Sequence, residues 1–268
     1  MRSKTGLVTL LTDFGTQDEY VGVVKGVIAT VNPNLQVIDL THQIPPQDIE
    51  QARFCLMNAY PYFPEDTVHI AVVDPGVGSQ RRAIAVQLES GFLVAPDNGL
   101  LSGVIGQNKV VGAVELTNSD YWHLKRPSNT FHARDIFAPV GAHLASGVNL
   151  KQLGKQIDLT SLVELDLPQY IVTDTAIQGC IQYIDRFGNL ISNIPQKCLE
   201  EKNILVKVKE LKLKVSNTYN DVNIGEVVAL VGSHGWIEIA VNSGNAALNL
   251  NMKLGSTLEL IEVNEPDR

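Results

Sequence analysis

The feature that most constrains the fold is a single change of style along the chain. Up to about residue 160 apolar strands alternate with helical stretches, and from about Asp166 every apolar run is short, β-rich and bounded by turn residues. LVTLL (7–11) reads as a buried strand, and EYVGVVKGVIATV (19–31) carries Val21, Val24, Val27, Ile28 and Val31 at helical spacing before Asn32-Pro33 stops it. QVIDL (36–40) is the next strand, DIEQARFCLMNAY (48–60) the next helix and TVHIAVV (67–73) the third strand. Strands separated by helices call for parallel pairing with right-handed crossovers, and functional groups then gather in the loops beyond the strands' C-terminal ends. The later segments IQGCIQYID, NLISNI, ILVKVKEL, VVALVGS, WIEIAV and STLELIEV show no long helical period. The expected fold is therefore α/β. A domain over 1–165 has a mainly parallel central sheet flanked by helices, an all-β barrel domain follows over 166–268, and the boundary lies near 160–172.

Two distant stretches concentrate chemistry. AVVDPGVGSQRR (71–82) reads as strand, tight turn, strand, with AIAVQL (83–88) as the returning strand, so Asp74 and Arg81 bracket one turn and their side chains can meet across it. A plain hairpin salt bridge would look the same. NTFHARDIFAP (129–139) places His132 just ahead of a helical run from about Ile136, a common position for handling anions, although a single histidine also serves structural roles. Asp74, Arg81 and His132 together would make one small polar site.

Other loops supply binding groups. TDFGTQD (12–18) follows the first strand and holds Asp13 and Asp18; a carboxylate there can accept ribose hydroxyls or pair with an ammonium, while Asp18 can equally cap the following helix. The TDFG string lacks the nucleotide loop, strand lysine and catalytic loop that accompany it in kinases. IDRFGNLISNI (184–194) offers Asp185, Phe187 and Asn189 around Gly188, and LVGSHGWIEIAVNSGNAA (230–247) is rich in glycine and small polar residues that let the backbone approach a ligand edge. Ordinary turns would share both compositions.

Net charge of −8 and the absence of any long basic run exclude a nucleic-acid partner, and no segment approaches membrane-span length. Met1 to Thr5 leads directly into the first strand without a leader pattern. Cys55, Cys180 and Cys198 are odd in number without CxxC spacing, which points to a reducing cytoplasm and against disulfides or a thiolate metal site. The six histidines show no paired ligand spacing, so no metal is expected.

In order along the chain, TDFGTQDEYVGVVKG, TVHIAVVDPGVGSQRR, VAPDNGLL, TFHARDIFAP, IDRFGNLISNI and GSHGWIEIAVNSGNAA resemble the S-adenosyl-L-methionine (SAM) hydroxide adenosyltransferases, the adenosine-forming SAM hydrolases. The resemblance implies that water displaces methionine from C5′ of SAM, giving adenosine and L-methionine, with SAM as substrate and no cofactor. It implies a homotrimer whose site lies between one subunit's N-terminal domain and its neighbour's C-terminal domain. It also implies roles: Asp74, Arg81 and His132 position the nucleophile, Asp13 holds the ribose diol, and Asp18 and Asp185 hold the methionine ammonium. Phe187 and Asn189 then belong to the nucleoside pocket, Ser233 and His234 meet the methionine carboxylate, and Asn242 and Ser243 lie near adenine. Two rivals follow: a SAM-dependent halogenase of the same fold, disfavoured by the intact Asp-Arg-His set, and a non-catalytic SAM or adenosine sensor. One departure stands out, since Ala133 occupies a position where the family usually has glycine.

Overall fold

A computed structural model describes residues 5–199 and 204–262, so Met1 to Lys4 of the leader reading lie outside the described residues. The chain divides into two units, Met1–Leu165 and Asp166–Arg268. No described helix is long and apolar enough to cross a membrane.

The first unit is built on a seven-stranded mixed sheet. Its strands are β1 (Leu7–Thr12), β2 (Gln36–Thr41), β3 (Thr67–Val72), β4 (Ala83–Leu88), β5 (Gly91–Pro96), β6 (Val110–Glu115) and β7 (Lys155–Gln156), in the order β2-β1-β3-β5-β4-β6-β7. The pairs β1·β2, β1·β3 and β3·β5 are parallel, as helical crossovers require. Beyond β5 the sheet turns antiparallel through β4, β6 and β7. β1, β3 and β5 are fully buried, which is what their unbroken apolar runs demand of strands covered on both faces.

The hairpin expected of 67–88 does not form. β5 lies between β3 and β4, pairing parallel with one and antiparallel with the other, so the segment from Val73 to Arg82 is a crossing loop rather than a two-strand turn. Local turn chemistry in DPGVGS is satisfied either way; what decides is the competing strand at 91–96, a contact outside the local window.

Helix α1 (Tyr20–Val31) buries Val24, Val27 and Ile28, and α2 (Ile49–Ala59) starts at Asp48, whose side chain accepts from Gln51 N–H at 2.9 Å. A four-residue helix, α3 (Ser102–Ile105), precedes α4 (Ala138–Ala145), which buries Val140, Ala142 and Leu144 in the core shared with α1 and the sheet. Close approach of α4 to β3 needs Gly141, because a Cβ there would lie 2.4 Å from Ile70 Cδ1.

On the buried surface of β3, His69 accepts or donates at Nδ1 to Thr9 Oγ1 (2.8 Å) and stacks near Tyr60 and Phe63. Burial pulls its pKa down to about 4. The unfolded chain takes this proton near pH 6.5 and the folded chain only near 4, so stability present above pH 6.5 is lost as pH falls toward 4, in total by about 3 kcal/mol. His69→Gln removes that dependence. In urea unfolding the gap between wild type and variant is expected to narrow between pH 7 and pH 4.5; a gap independent of pH would sink this account of His69.

The second unit is a closed barrel of seven strands. These are β9 (Ala176–Ile184), β10 (Leu190–Pro195), β11 (Ile204–Val208), β12 (Leu211–Ser216), β13 (Val227–Val231), β14 (Trp236–Val241) and β15 (Thr257–Glu262), with β8 (Ile171–Val172) added outside on β9. Pairing of β9 with both β15 and β10 closes the ring and leaves no free edge within it. Ile181, Leu190, Val206, Ile237, Ile239 and Leu258 fill the interior, and a short helix, α5 (Ala246–Asn249), follows β14.

Candidate active site

In the first unit the loops beyond β1 and β3 meet the segment ahead of α4 around a cavity of about 540 Å³. Asp13, Asp74, Val77, Phe131, His132 and Arg134 are among its lining residues.

The two chemistry-bearing stretches come together through Gly78. Its φ of +77° suits glycine, and an added Cβ would stand 2.3 Å from the carbonyl oxygen of Asn129. With the backbones this close, Arg81 reaches both partners. Arg81 Nε donates to Asp74 Oδ1 at 2.9 Å, Nη2 donates to Asp74 Oδ2, and Nη2 also donates to His132 Nδ1 at 2.7 Å. The side chains of Asp74 and Arg81 are 6% and 10% exposed, so the pair is largely withdrawn from water. Asp74 and His132 face the cavity, and Arg81 bridges them from behind its wall. The Arg81 guanidinium also lies 5.4 Å from the centroid of the Phe137 ring.

An arginine always donates, so Nδ1 of His132 must be an acceptor and the neutral ring carries its proton on Nε2. Burial and the neighbouring Arg81 charge lower the His132 pKa and keep the ring neutral, against the opposing pull of Asp74 and Asp135. His132 therefore has its Nε2–H available as a donor.

The mount for His132 follows from its sequence. Ala133–Phe137 forms one π-helical turn running into α4, with Pro139 near the start of that helix. Proline has no N–H to give the carbonyl four residues back, which is Asp135, and that carbonyl accepts from His123 N–H at 2.9 Å instead. The fully buried Asp135 carboxylate binds Arg134 Nε at 2.7 Å and Nη2 at 2.9 Å and receives Ser128 N–H at 2.8 Å. Burial alone would raise its pKa; the bonds from Arg134 and Ser128 outweigh that and hold it below the ordinary carboxylate value.

Of the expected binding residues in this unit, Asp13 lines the cavity and its Oδ2 accepts from Gln47 N–H at 2.8 Å. Asp18 is exposed ahead of α1 and does not line the cavity; α1 begins without any side-chain cap, so the capping role considered for Asp18 is not seen. Residue-by-residue reading missed the aromatic wall of Phe14, Tyr20 and Phe131, whose ring centroids are 5.3 to 6.0 Å apart, and missed Arg134, which lies 5.2 Å from the Phe131 ring centroid. The signal was present, since Phe14 and Phe131 sit inside the two polar motifs.

The remaining expected residues lie in three loops of the barrel unit. In the β9–β10 turn Asp185 Oδ1 accepts from Phe187 N–H and Asn189 N–H, both at 2.9 Å, and Oδ2 accepts from Asn189 Nδ2 at 3.0 Å; Phe187 stands 75% exposed. This turn joins the loop after β14, where Ala247 N–H donates to Gly188 O at 2.9 Å. In that loop Asn242 Nδ2 donates to Val222 O at 2.9 Å, and Ser243 Oγ to Asn242 Oδ1 at 3.2 Å. In the β13–β14 turn His234 is tied down at both ring nitrogens, Nδ1 accepting from Trp236 N–H and Nε2 facing Glu238 Oε2, each at 3.2 Å. Both contacts hold the imidazole against its own turn.

Comparison with known proteins matches the SAM hydroxide adenosyltransferase N-terminal domain over residues 8–154 and the corresponding C-terminal domain over residues 179–259. The chain belongs to the SAM hydroxide adenosyltransferase family. A family relative from Salinispora tropica named (R)-S-adenosyl-L-methionine hydrolase is 39% identical over 257 residues, 96% of this chain and 98% of that one. A protein of the same name from Thermus thermophilus is 37% identical, covering 95% and 99% of the two chains. A fluorinase from Actinopolyspora mzabensis is 27% identical over 95% of this chain and 96% of its own length. Among solved structures, an uncharacterized conserved protein from Thermotoga maritima aligns with a TM-score of 0.89 at 37% identity, covering 95% of this chain and all of that one.

Proposed function

We propose that the protein hydrolyses SAM at C5′, releasing adenosine and L-methionine. The single observation that carries this reading is the Asp74–Arg81–His132 chain on a cavity of a family whose relatives of 34–39% identity are named for that hydrolysis. Water oxygen attacks C5′ as the C5′–S bond breaks; its electron pair passes to sulfur, methionine leaves as a neutral thioether, and the water proton is released to solvent. The sulfonium carries its own leaving group, so the step calls for no cofactor and no general acid. Its demands are in-line placement and desolvation of a small nucleophile. Because His132 Nδ1 is occupied by Arg81, we assign His132 the part of orienting the nucleophile and stabilising hydroxide character through Nε2–H, with Arg81 holding the ring and Asp74 holding Arg81.

The same reading gives Asp13 the ribose diol, Asp18 and Asp185 the methionine ammonium, Phe187 and Asn189 a face of the nucleoside pocket, and Asn242 and Ser243 the adenine edge. Ser233 and His234 receive the methionine carboxylate, the His234 ring being held in its turn by Trp236 N–H and Glu238. We further propose a homotrimer in which the barrel turns of one subunit complete the cavity of the next; strong exposure of Phe187 and Leu248 (79%) beside these turns supports a covered surface. The three cysteines, odd in number and without CxxC spacing, fit a cytoplasmic setting.

The test is product analysis with each sulfonium epimer of SAM, since the relatives are named for the (R) form, with and without chloride or fluoride. Equimolar adenosine and methionine, unaffected by halide, is the expected result. A halogenated nucleoside would favour the fluorinase-like alternative, and tight binding without turnover of either epimer would favour a sensor.

A further inference from the structure

The segment VAPDNGLL has no part in the chemistry above, yet its Asp-Asn pair touches both ends of the loop that carries Asp74 and Arg81. Because β5 is inserted between β3 and β4, parallel to one and antiparallel to the other, the end of β3, the start of β4 and the end of β5 fall on the same side of the sheet. The residues leaving β5 are Asp97 and Asn98. Asn98 Nδ2 donates to the carbonyl oxygen of Val73 at 2.9 Å, immediately before Asp74. Asp97 N–H donates to Arg82 O at 2.9 Å, immediately after Arg81, and Asp97 Oδ2 receives Arg82 Nε at 2.9 Å and Nη2 at 2.5 Å. Asp97 Oδ1 accepts Val163 N–H at 2.9 Å, and Arg82 Nη1 donates to Ser161 Oγ at 3.0 Å, so the final segment of the first unit anchors the pair from outside.

The Asp97 side chain is 4% exposed and Arg82 27%, so this ion pair is held where water competes weakly. Successive arginines thus divide the work: Arg81 turns toward Asp74 and His132, Arg82 toward the scaffold. Between the two anchor points, residues 74–81 are tied mainly to themselves, through Val77 N–H to Asp74 O (3.2 Å) and Ser79 Oγ to Gly76 O (2.6 Å). Those bonds shape the loop without fixing it to the sheet.

We propose that Asp97 and Asn98 are positioning residues that clamp the two flanks of the 74–81 loop and thereby set the placement of Asp74 and Arg81. This rests on the hydrolase reading for its effect on rate, while the clamp itself can be tested without substrate. Asn98→Ala is the milder variant, because Asn98 is half-buried and water can replace its bond to Val73 O; Asp97→Asn keeps the shape and removes the charge facing Arg82.

In hydrogen exchange on the intact protein, amides of residues 74–81 are expected to exchange at least about tenfold faster in Asn98→Ala, with the barrel amides unchanged. SAM turnover is expected to lose about 10- to 100-fold in kcat with KM within about threefold, since a displacement of about 1 Å costs rate rather than affinity. In an Asp74→Asn background the same Asn98→Ala change is expected to cost under about twofold, as for residues acting through one unit. A purely structural Asn98 would instead lower the unfolding midpoint, leave kcat per folded molecule intact and add its effect fully to Asp74→Asn; that result, or loop exchange identical to wild type, overturns the proposal. Should wild type fail to turn over SAM, the hydrolase reading fails and exchange in the two variants still decides the clamp.

Discussion

Arg81→Ala is expected to lower SAM turnover about a thousandfold while SAM binding changes by less than about threefold, because Arg81 organises the cavity wall without lining it. Its loss removes the bond that fixes the His132 ring as an Nε2–H donor and both bonds to Asp74. The same change leaves Asp74, 6% exposed, as a buried charge without its partner, at a cost of about 3–5 kcal/mol in stability. These two consequences separate in the Asp74→Ala/Arg81→Ala double variant. Removing both charges is expected to recover most of the stability and none of the activity. Unfolding midpoints and steady-state kinetics on the three variants check this, and a stable, inactive single Arg81→Ala variant would show that Asp74 is less dependent on Arg81 than its burial indicates.

The second large effect is at Gly78. Gly78→Ala places a methyl group 2.3 Å from Asn129 O in a backbone conformation of φ +77°, and neither atom belongs to a flexible side-chain end. Left-handed backbone alone costs about 1–2 kcal/mol for a residue with a Cβ. The clash adds to this, and relieving it moves the Asp74–Arg81 loop away from the His132 segment. A fall of about 100-fold in kcat is expected together with a lowered unfolding midpoint. Gly225→Ala is the control: its φ is +85° with nothing within 4 Å of the added Cβ, so it bears only the backbone cost and keeps full activity. Equal behaviour of the two variants would mean that contact between the two site segments is unimportant.

Much of the scaffold was legible because it obeys local rules. The buried runs of β1 and β3, the spacing in α1 and the switch to short β segments all appear as patterns within a dozen residues. Non-local pairing was not legible. The eight residues between Val73 and Arg82 suit a hairpin loop, and nothing within them shows that the 91–96 strand takes the place beside both neighbours. The same insertion hides the clamp, because Asp97 and Asn98 read as an ordinary turn until β5 is in place.

At the site, the residue types of Asp74, Arg81 and His132 marked them out, while the bond from Arg81 to His132 Nδ1 that fixes the ring's proton required coordinates. At His234, to which the resemblance gives a ligand contact, coordinates were needed in the same way to show that Glu238, four residues on, and Trp236 N–H meet its two ring nitrogens.

The central claim is that oxygen from water attacks C5′ of SAM in this protein. A single-turnover reaction in 18O-labelled water, read by mass spectrometry, tests it most directly: one labelled oxygen in the 5′-hydroxyl of adenosine and none in methionine is the expected result. Unlabelled adenosine, or products cut at another carbon–sulfur bond such as methylthioadenosine, would contradict the account.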